Sequence, residues 1–580
     1  MAETNSNGQG RRAANGNATL TSQQSVNARV KAICDIMRRA NAAGAMQYVP
    51  ELSWLLFLRI LDEREQEEEG QATMMGLPFA ASLPAPYRWR DWAAPGGAKR
   101  RALQAGAMGG LFAFLHNELF PALRRLGDAH ETPAAGQRQR VIGRVMAGVT
   151  RTRIDTEFNL WEVIDRVDDI RDEHIDKTHV FPLSQVYEGL LLKMGEKAND
   201  GGQFFTPREV IRAMIEAVAP ALGKTIYDPA CGTGGFLAQA YNYLEPRAAT
   251  PDERRQLKER TFYGCEKDDT IFPIALANLV LHGIDRPNLW HGNRLTGHAT
   301  YAGLYETAPE TFDYIFTNPP FGGKEGVNAQ QPFAYKTSAT QVLFLQHCLA
   351  KLKAGGVGAI VLDEGVLFRT NEDAFVKTKR KLLNDCRVEA IISLPGGVFT
   401  QAGAGVKTNI LIFTQGQPTQ RIWYYDLSHL NVRKRNPLTM ADFAEFLRLY
   451  PDRAAGPHSW TVDIDGRRRA ARAEAQPHYD AARAKETAAA ARRAAMAELR
   501  RAGQGRAEAY RVAQAEADAL TREARQSRAK GEALEAAVYD LKAVNPNSSI
   551  VEDQRTPAEL IALIETQGQV IATALAALKD

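Results

Sequence analysis

Apolar positions recur at helical spacing from Val26 to about Glu69, as in Leu52, Leu55, Leu56, Leu58 and Leu61, and the run closes on the charged Asp62-Glu63-Arg64-Glu65. That period predicts helices. Residues 70 to 108 interrupt it with Gly and Pro, and three of the seven tryptophans, Trp54, Trp89 and Trp92, lie in or near the stretch, so it reads as an irregular connection packed on those helices. A second helical block runs from Leu111 to about Gly195. Short apolar runs then alternate with helical stretches. They predict strands at 225–229, 261–266, 288–292, 313–317, 357–363, 388–394, 408–414 and 421–426. Strands alternating with helices predict an α/β fold with a doubly wound, mostly parallel sheet. From about Ala470 to Val544 the chain is dominated by Ala, Arg, Glu and Gln, good helix formers with few large apolar side chains. Gly503 to Gly505 divides this arm in two. A last helix follows Thr556-Pro557, with Leu560, Ile561, Ile564 and Ile571 along one side.

The pattern thus gives a disordered tail at 1–24, rich in Asn, Gly, Gln and Ser, and an N-terminal helical domain at 25–195. An α/β domain follows at 196–430, a connecting segment at 431–469 and a C-terminal helical region at 470–580. At 580 residues the chain exceeds what one core supports.

Composition changes the picture in three ways. Lys and Arg total 72 against 68 for Asp and Glu, a net charge of +4, so a nucleic-acid surface here is a local patch and not a global field. Five cysteines stand singly at 34, 231, 265, 348 and 386, without metal-ligand spacing or a disulfide framework, which fits a reducing cytoplasm. No apolar run is long enough to span a bilayer. The dense charges of Asp165-Arg166-Val167-Asp168-Asp169-Ile170-Arg171-Asp172-Glu173 read as a solvated helix face, and His174 and His179 have no partners at ligand spacing, so no metal site is expected.

Candidate chemistry concentrates at the carboxyl ends of the strands, where ligands of doubly wound sheets sit. The run Asp313-Tyr314-Ile315-Phe316-Thr317 ends in Asn318-Pro319-Pro320-Phe321. Two prolines fix φ and remove both N–H donors, so the chain leaves the strand on one rigid course. A carboxamide held still, backbone carbonyls that no ladder uses and an aromatic ring together suit an exocyclic amino group on a flat base. The plainer reading is that Asn-Pro-Pro only ends a strand. Upstream, Asp228-Pro229-Ala230-Cys231-Gly232-Thr233-Gly234-Gly235-Phe236 is a strand end, a glycine turn and a helix start. Its glycines admit close approach of a ligand. Leu237 stands where a dinucleotide fingerprint needs a third glycine, so no pyrophosphate cradle is expected. Glu266, at the tip of the next strand, is placed to hold a ribose diol.

These motifs resemble those of S-adenosylmethionine-dependent DNA adenine-N6 methyltransferases, and Gly202-Gln203-Phe204-Phe205-Thr206-Pro207-Arg208 resembles the segment that covers the methionine end of the cofactor in one subgroup. Leu394-Pro395-Gly396-Gly397-Val398-Phe399, Gly405-Val406-Lys407-Thr408-Asn409 and Tyr539-Asp540-Leu541-Lys542-Ala543-Val544-Asn545-Pro546 narrow the resemblance to the modification subunit of type I restriction-modification enzymes. It covers the chain from about residue 26 onward. It implies a class I, Rossmann-like methyltransferase fold with S-adenosyl-L-methionine as cofactor. Gln203, Phe204, Phe205, Thr206, Pro207, Arg208, Asp228, Ala230, Gly232, Thr233, Gly234, Gly235, Phe236, Glu266 and Asn293 would bind it. Asn318, Pro319, Pro320 and Phe321 would act on an adenine turned out of the duplex. Phe399 is a second stacking face or a core residue, Asn293 an adenine contact or a turn. Thr206-Pro207-Arg208-Glu209 doubles as a helix N-cap with Pro in the first turn.

No module for reading bases is evident outside the sheet. The resemblance accordingly implies double-stranded DNA as substrate, a separate specificity subunit docked on the terminal helices, a second copy of this chain in the complex, and a restriction and translocation subunit in the full enzyme. Rival readings are an amino methyltransferase acting on cytosine N4 or on a protein glutamine, and a catalytically silent scaffold.

Overall fold

The computed structural model describes residues 22–39, 45–128, 135–169, 206–284, 286–399, 406–433, 436–506, 508–542, 544–547, 561–562, 564–569 and 571. The strands are β1 (Ile226–Asp228), β2 (Phe262–Glu266), β3 (Asn288–Asn293), β4 (His298–Tyr301), β5 (Phe312–Thr317), β6 (Leu352–Asp363), β7 (Cys386–Ser393), β8 (Thr408–Gln415), β9 (Arg421–Asp426) and β10 (Ser459–Asp463). They form one sheet in the order β10-β9-β7-β8-β6-β5-β1-β2-β3-β4. The chain moves outward from β1 through β2 to β3, then returns to place β5 on the other side of β1, all in parallel. The gap between β1 and β5 is therefore the point where strand order reverses, the crevice in which such sheets bind ligands. β8 inserts antiparallel between β6 and β7.

All eight anticipated strands are present, each within a few residues of its expected bounds. Two strands lack a sequence signal. β4 is a short, largely exposed edge of His-Ala-Thr-Tyr, with no apolar run to mark it. β10 lies inside the stretch taken for a connecting segment and pairs antiparallel with β9, so the sheet domain extends to Asp463 and the boundary at 430 is corrected. A helix already begins at Ser22, inside the stretch 1–24 assigned to the tail. Residues 1–21 and 170–205 lie outside the described residues, as do Gly405, Thr556, Pro557 and Leu560.

In the N-terminal domain the helices Ser22–Arg39, Ala45–Met74, Ala135–Val145 and Glu157–Asp168 surround buried Trp54, Trp89, Trp92, Phe114 and Phe120. The connection carrying Trp89 and Trp92 is packed on those helices as its composition implied, with the Trp54 and Trp92 rings 6.4 Å apart. Two acids of the dense charged patch have structural partners. Asp165 pairs with Arg100 at 2.6 Å, and Asp168 accepts from Trp89 Nε1 at 2.8 Å, so this face is fastened to the domain and not merely solvated. The domain is anchored to the sheet domain by Arg64, whose Nη1 donates to the Val280 carbonyl at 2.7 Å, and by Arg144 stacked 3.7 Å from the Tyr301 ring centroid.

A Cβ on Gly143 would lie 1.9 Å from the Gly127 nitrogen, so two backbone segments touch there without side chains between them. Gly143→Ala must force them apart. The expected cost is about 3 kcal/mol, read as a lowered urea midpoint; an unchanged midpoint would show that this contact contributes nothing to stability.

The C-terminal arm is a helical hairpin. Asp463 caps its first helix, Ile464–Arg501, by accepting from Gly466 N at 2.9 Å. Gly503, at φ +77°, ends that helix, and Glu508–Ala537 returns along it. The seam is made of small residues, with Ala475, Ala482 and Ala489 on one helix and Ala513, Ala517, Ala524 and Gly531 on the other, all buried. Long polar side chains bracket it in the pairs Lys485–Glu523 (3.1 Å), Arg492–Glu516 (2.9 Å) and Arg528–Glu486 (2.6 Å). Past the hairpin, Leu541 N donates to the Leu367 carbonyl at 3.1 Å and Asn545 Nδ2 to the Pro457 carbonyl at 3.0 Å, which ties the base of the arm to the sheet domain. Ile561, Ile564 and Ile571 lie in helical segments and are exposed.

Candidate active site

β1 stops at Asp228 because Pro229 follows. The chain then turns through Gly232 (φ +53°) and Gly234 (φ +80°) into the helix Gly235–Leu244. Left-handed backbone at both positions is what selects glycine. From beneath, Asn278 Nδ2 donates to the Thr233 carbonyl at 2.9 Å and holds the turn in place.

Beyond this turn lies a cavity of about 480 Å³ between the carboxyl ends of β1, β2, β3 and β5. Thr206, Asp228, Ala230, Gly232, Thr233, Gly235, Phe236, Glu266, Asn293, Asn318 and Pro320 all line it, so residues spread over more than 110 positions meet in one space. Several expected residues do not line it. Gly234 faces away, and a Cβ there would lie 3.2 Å from Leu279 Cδ2, so its role is the turn and the packing of two helices. Arg208 is half-buried in the first turn of the helix Arg208–Val218, where burial pushes its guanidinium down to about 10. Pro207 occupies the cap position of that helix and not its first turn, and no side chain caps it. The N-cap reading of Thr206 is therefore wrong, because its hydroxyl is engaged by Asn318 instead. Gln203, Phe204 and Phe205 lie outside the described residues.

Two buried acids line the cavity. Glu266 Oε1 accepts from the backbone N–H groups of Lys267 and Asp268, both at 2.7 Å, and burial still pushes the carboxyl up to about 7. Asp228 Oδ1 accepts from Ala230 N at 3.1 Å, and burial raises it likewise to about 7. Two desolvated acids favour a ligand that brings positive charge or hydroxyl donors. Burial pushes the Cys231 thiol well up, away from a nucleophilic thiolate.

Asn318 is 8% exposed. Its Nδ2 donates to Thr206 Oγ1 at 3.0 Å, and its Oδ1 has no hydrogen-bond partner. A buried acceptor without a donor is costly and marks a place where a ligand donor belongs. The Pro319 carbonyl accepts from Gln341 Nε2 at 3.2 Å. Phe321 is half-buried and meets the edge of Phe399 with ring centroids 5.2 Å apart. Phe399 itself is buried in the core, so the apolar turn after β7 uses it for packing and gives no open stacking face. Asn293 Oδ1 accepts from Leu295 N at 3.0 Å: it forms a turn and lines the cavity at once.

The structure adds Lys267, Asp268, Arg294, Lys324, Glu325, Thr340 and Phe344 to the cavity wall. Asp268 had a signal, as it accepts from Thr270 N and Ile271 N at the start of the helix Ile271–Leu281. Phe344 and Thr340 had none, since they belong to an apolar helix that reads as core.

Known proteins resemble this chain in sequence and in fold. The N-6 DNA methylase family matches residues 178–485 and the HsdM N-terminal domain matches residues 26–167. The type I restriction enzyme EcoEI methylase subunit of Escherichia coli is 32% identical over 463 residues, covering 76% of this chain and 88% of that protein. The EcoKI methylase subunit of Escherichia coli K12 is 30% identical over 451 residues, covering 75% and 77%. A solved modification subunit from Vibrio vulnificus YJ016 superposes with a TM-score of 0.64 at 31% identity, over 77% of this chain and 93% of that one. A chain solved in work on complex assembly of the type I restriction-modification system gives 0.63 at 31% identity, over 96% and 98%.

Proposed function

Because the chain belongs to the N-6 DNA methylases, as a type I restriction-enzyme methylase subunit that methylates adenine in DNA, we propose that the cavity beside Asn318 is its S-adenosylmethionine site and that Asn318 Oδ1 receives the target amine. Membership sets aside cytosine N4, protein glutamine and the silent scaffold. The observation that carries the assignment is the buried, unpartnered Oδ1 at the wall of a cavity that also holds Asp228, Glu266 and the glycine turn.

The residues fit such a cofactor. Two carboxylates raised by burial match its ammonium and ribose hydroxyls, and the turn at Gly232 leaves backbone open to close approach. When bound, the cofactor supplies an electrophilic methyl group on sulfonium. Glu266 accepts the ribose hydroxyls; Asp228 faces the positive end. Asn318 Oδ1 accepts an N6–H of an adenine turned out of the duplex, which draws electron density onto nitrogen and holds it in line. The amine sheds its proton only after gaining the methyl, so no strong base is needed. Phe321 stacks on the base, and its contact with Phe399 shifts to admit it.

Affinity for the cofactor should rise about tenfold or more between pH 6 and pH 8, because Glu266 and Asp228 both titrate near 7 and each holds its donors best when ionised. Calorimetry across that range checks it. Glu266→Gln should flatten the profile except for the part owed to Asp228, and a flat wild-type profile would refute the assignment.

Sequence choice in this reading belongs to a separate specificity subunit. It docks on the hairpin and on the exposed Ile561, Ile564 and Ile571, with two copies of this chain per complex and a restriction subunit in the full enzyme. No helix among the described residues is long and apolar enough to cross a membrane; we place the complex in the cytoplasm with its DNA. Co-purification from the native operon followed by mapping of N6-methyladenine tests this division. Methylation of a defined site by the chain alone would overturn it.

A further inference from the structure

The geometry points to Thr206 and Gln341 as positioning residues that aim the two acceptors of the catalytic loop. An asparagine amide presents nearly the same shape when turned over, yet one orientation offers an acceptor to an amine and the other a donor that repels it. Something must hold the amide in place. Here Nδ2 is spent on Thr206 Oγ1 at 3.0 Å, which leaves Oδ1 as the free end. Thr206 arrives from the segment ahead of the helix Arg208–Val218, 112 positions away, and is not part of the loop it serves.

Gln341 does the corresponding work one residue along. It is 2% exposed and stands in the first turn of the helix Thr340–Lys351. Both ends of its amide are used, with Nε2 donating to the Pro319 carbonyl at 3.2 Å and Oε1 accepting from Asp363 N at 3.0 Å. The loop after β5 is thereby pinned to the end of β6. A carbonyl has two lone pairs, so the Pro319 oxygen keeps one after this bond, with its plane set. Prolines alone stiffen the loop along its length. They do not set where its amide or its carbonyl sits, and Thr206 and Gln341 hold both from outside the loop.

The inference rests on Asn318 being the acceptor for the amine. The test is single-turnover methyl transfer to DNA by the assembled methyltransferase, at saturating cofactor and DNA, with cofactor affinity measured in parallel. Thr206→Val removes the hydroxyl at constant shape and should slow transfer about tenfold or more with affinity changed less than about threefold. Thr206→Ser restores the hydroxyl and should recover most of the rate. Gln341→Met removes the donor to Pro319 at similar length and should slow transfer similarly. Wild-type rates in Thr206→Val, a Thr206→Ser variant as slow as Thr206→Val, or losses that vanish at saturating cofactor would overturn the proposal. Full activity in Asn318→Ala would instead remove the acceptor reading beneath it.

Discussion

Asn318→Ala is expected to cut methyl transfer by about a thousandfold while leaving the affinity for S-adenosylmethionine within about threefold of the wild type. The side chain borders the cavity, but the prolines behind it and the Gln341 bond keep the loop in place when the amide is gone. What disappears is the acceptor that fixes the amine and enriches its nitrogen, an interaction made mainly as the methyl approaches. Tritiated methyl transfer with an equilibrium binding measurement separates the two quantities. A variant that still transfers methyl at more than a tenth of the normal rate would mean that Oδ1 is not the amine's partner.

Glu266→Ala should act on the other quantity. A carboxylate that accepts two hydroxyl donors in a buried site contributes about 1.5 kcal/mol or more per bond, so its loss should weaken cofactor binding about a hundredfold. The carboxyl already accepts from two backbone N–H groups, and deleting it leaves those donors unpaired as well. The rate at saturating cofactor should change far less than the affinity. A lost rate with unchanged affinity would place Glu266 in the reaction and not in binding.

How much of this was legible beforehand depends on the kind of signal. The strands inside the sheet, antiparallel β8 included, are largely buried on both faces, so most left an apolar run that little surface pattern diluted, and all eight could be read. β4 and β10 are edges whose existence depends on a neighbour already being there. Rigid devices at strand ends were likewise legible, since proline pairs and glycine turns are local chemistry. The partners of those devices were not. Thr206 looked like a helix cap, and only the fold shows its hydroxyl 3.0 Å from an amide 112 residues on. Gln341 sits in an apolar helix where nothing distinguishes it from a tolerated polar residue. For Phe399 the sequence left a stacking face and a core residue both open, and its burial takes the second.

The first helix of the C-terminal hairpin has 38 residues, which at 1.5 Å each gives a rod of about 57 Å. Ala475, Ala482 and Ala489 repeat every seven positions, as do Ala517, Ala524 and Gly531 opposite them. Such a rod behaves like a ruler graduated in sevens. Taking one heptad from each helix would draw in whatever its tip carries by about 10 Å and leave the seam aligned. Any other increment swings the alanines outward by about 100° per residue and turns arginine and glutamate into the contact. Whole heptads are therefore the steps by which the distance from tip to cavity can change without reworking the seam.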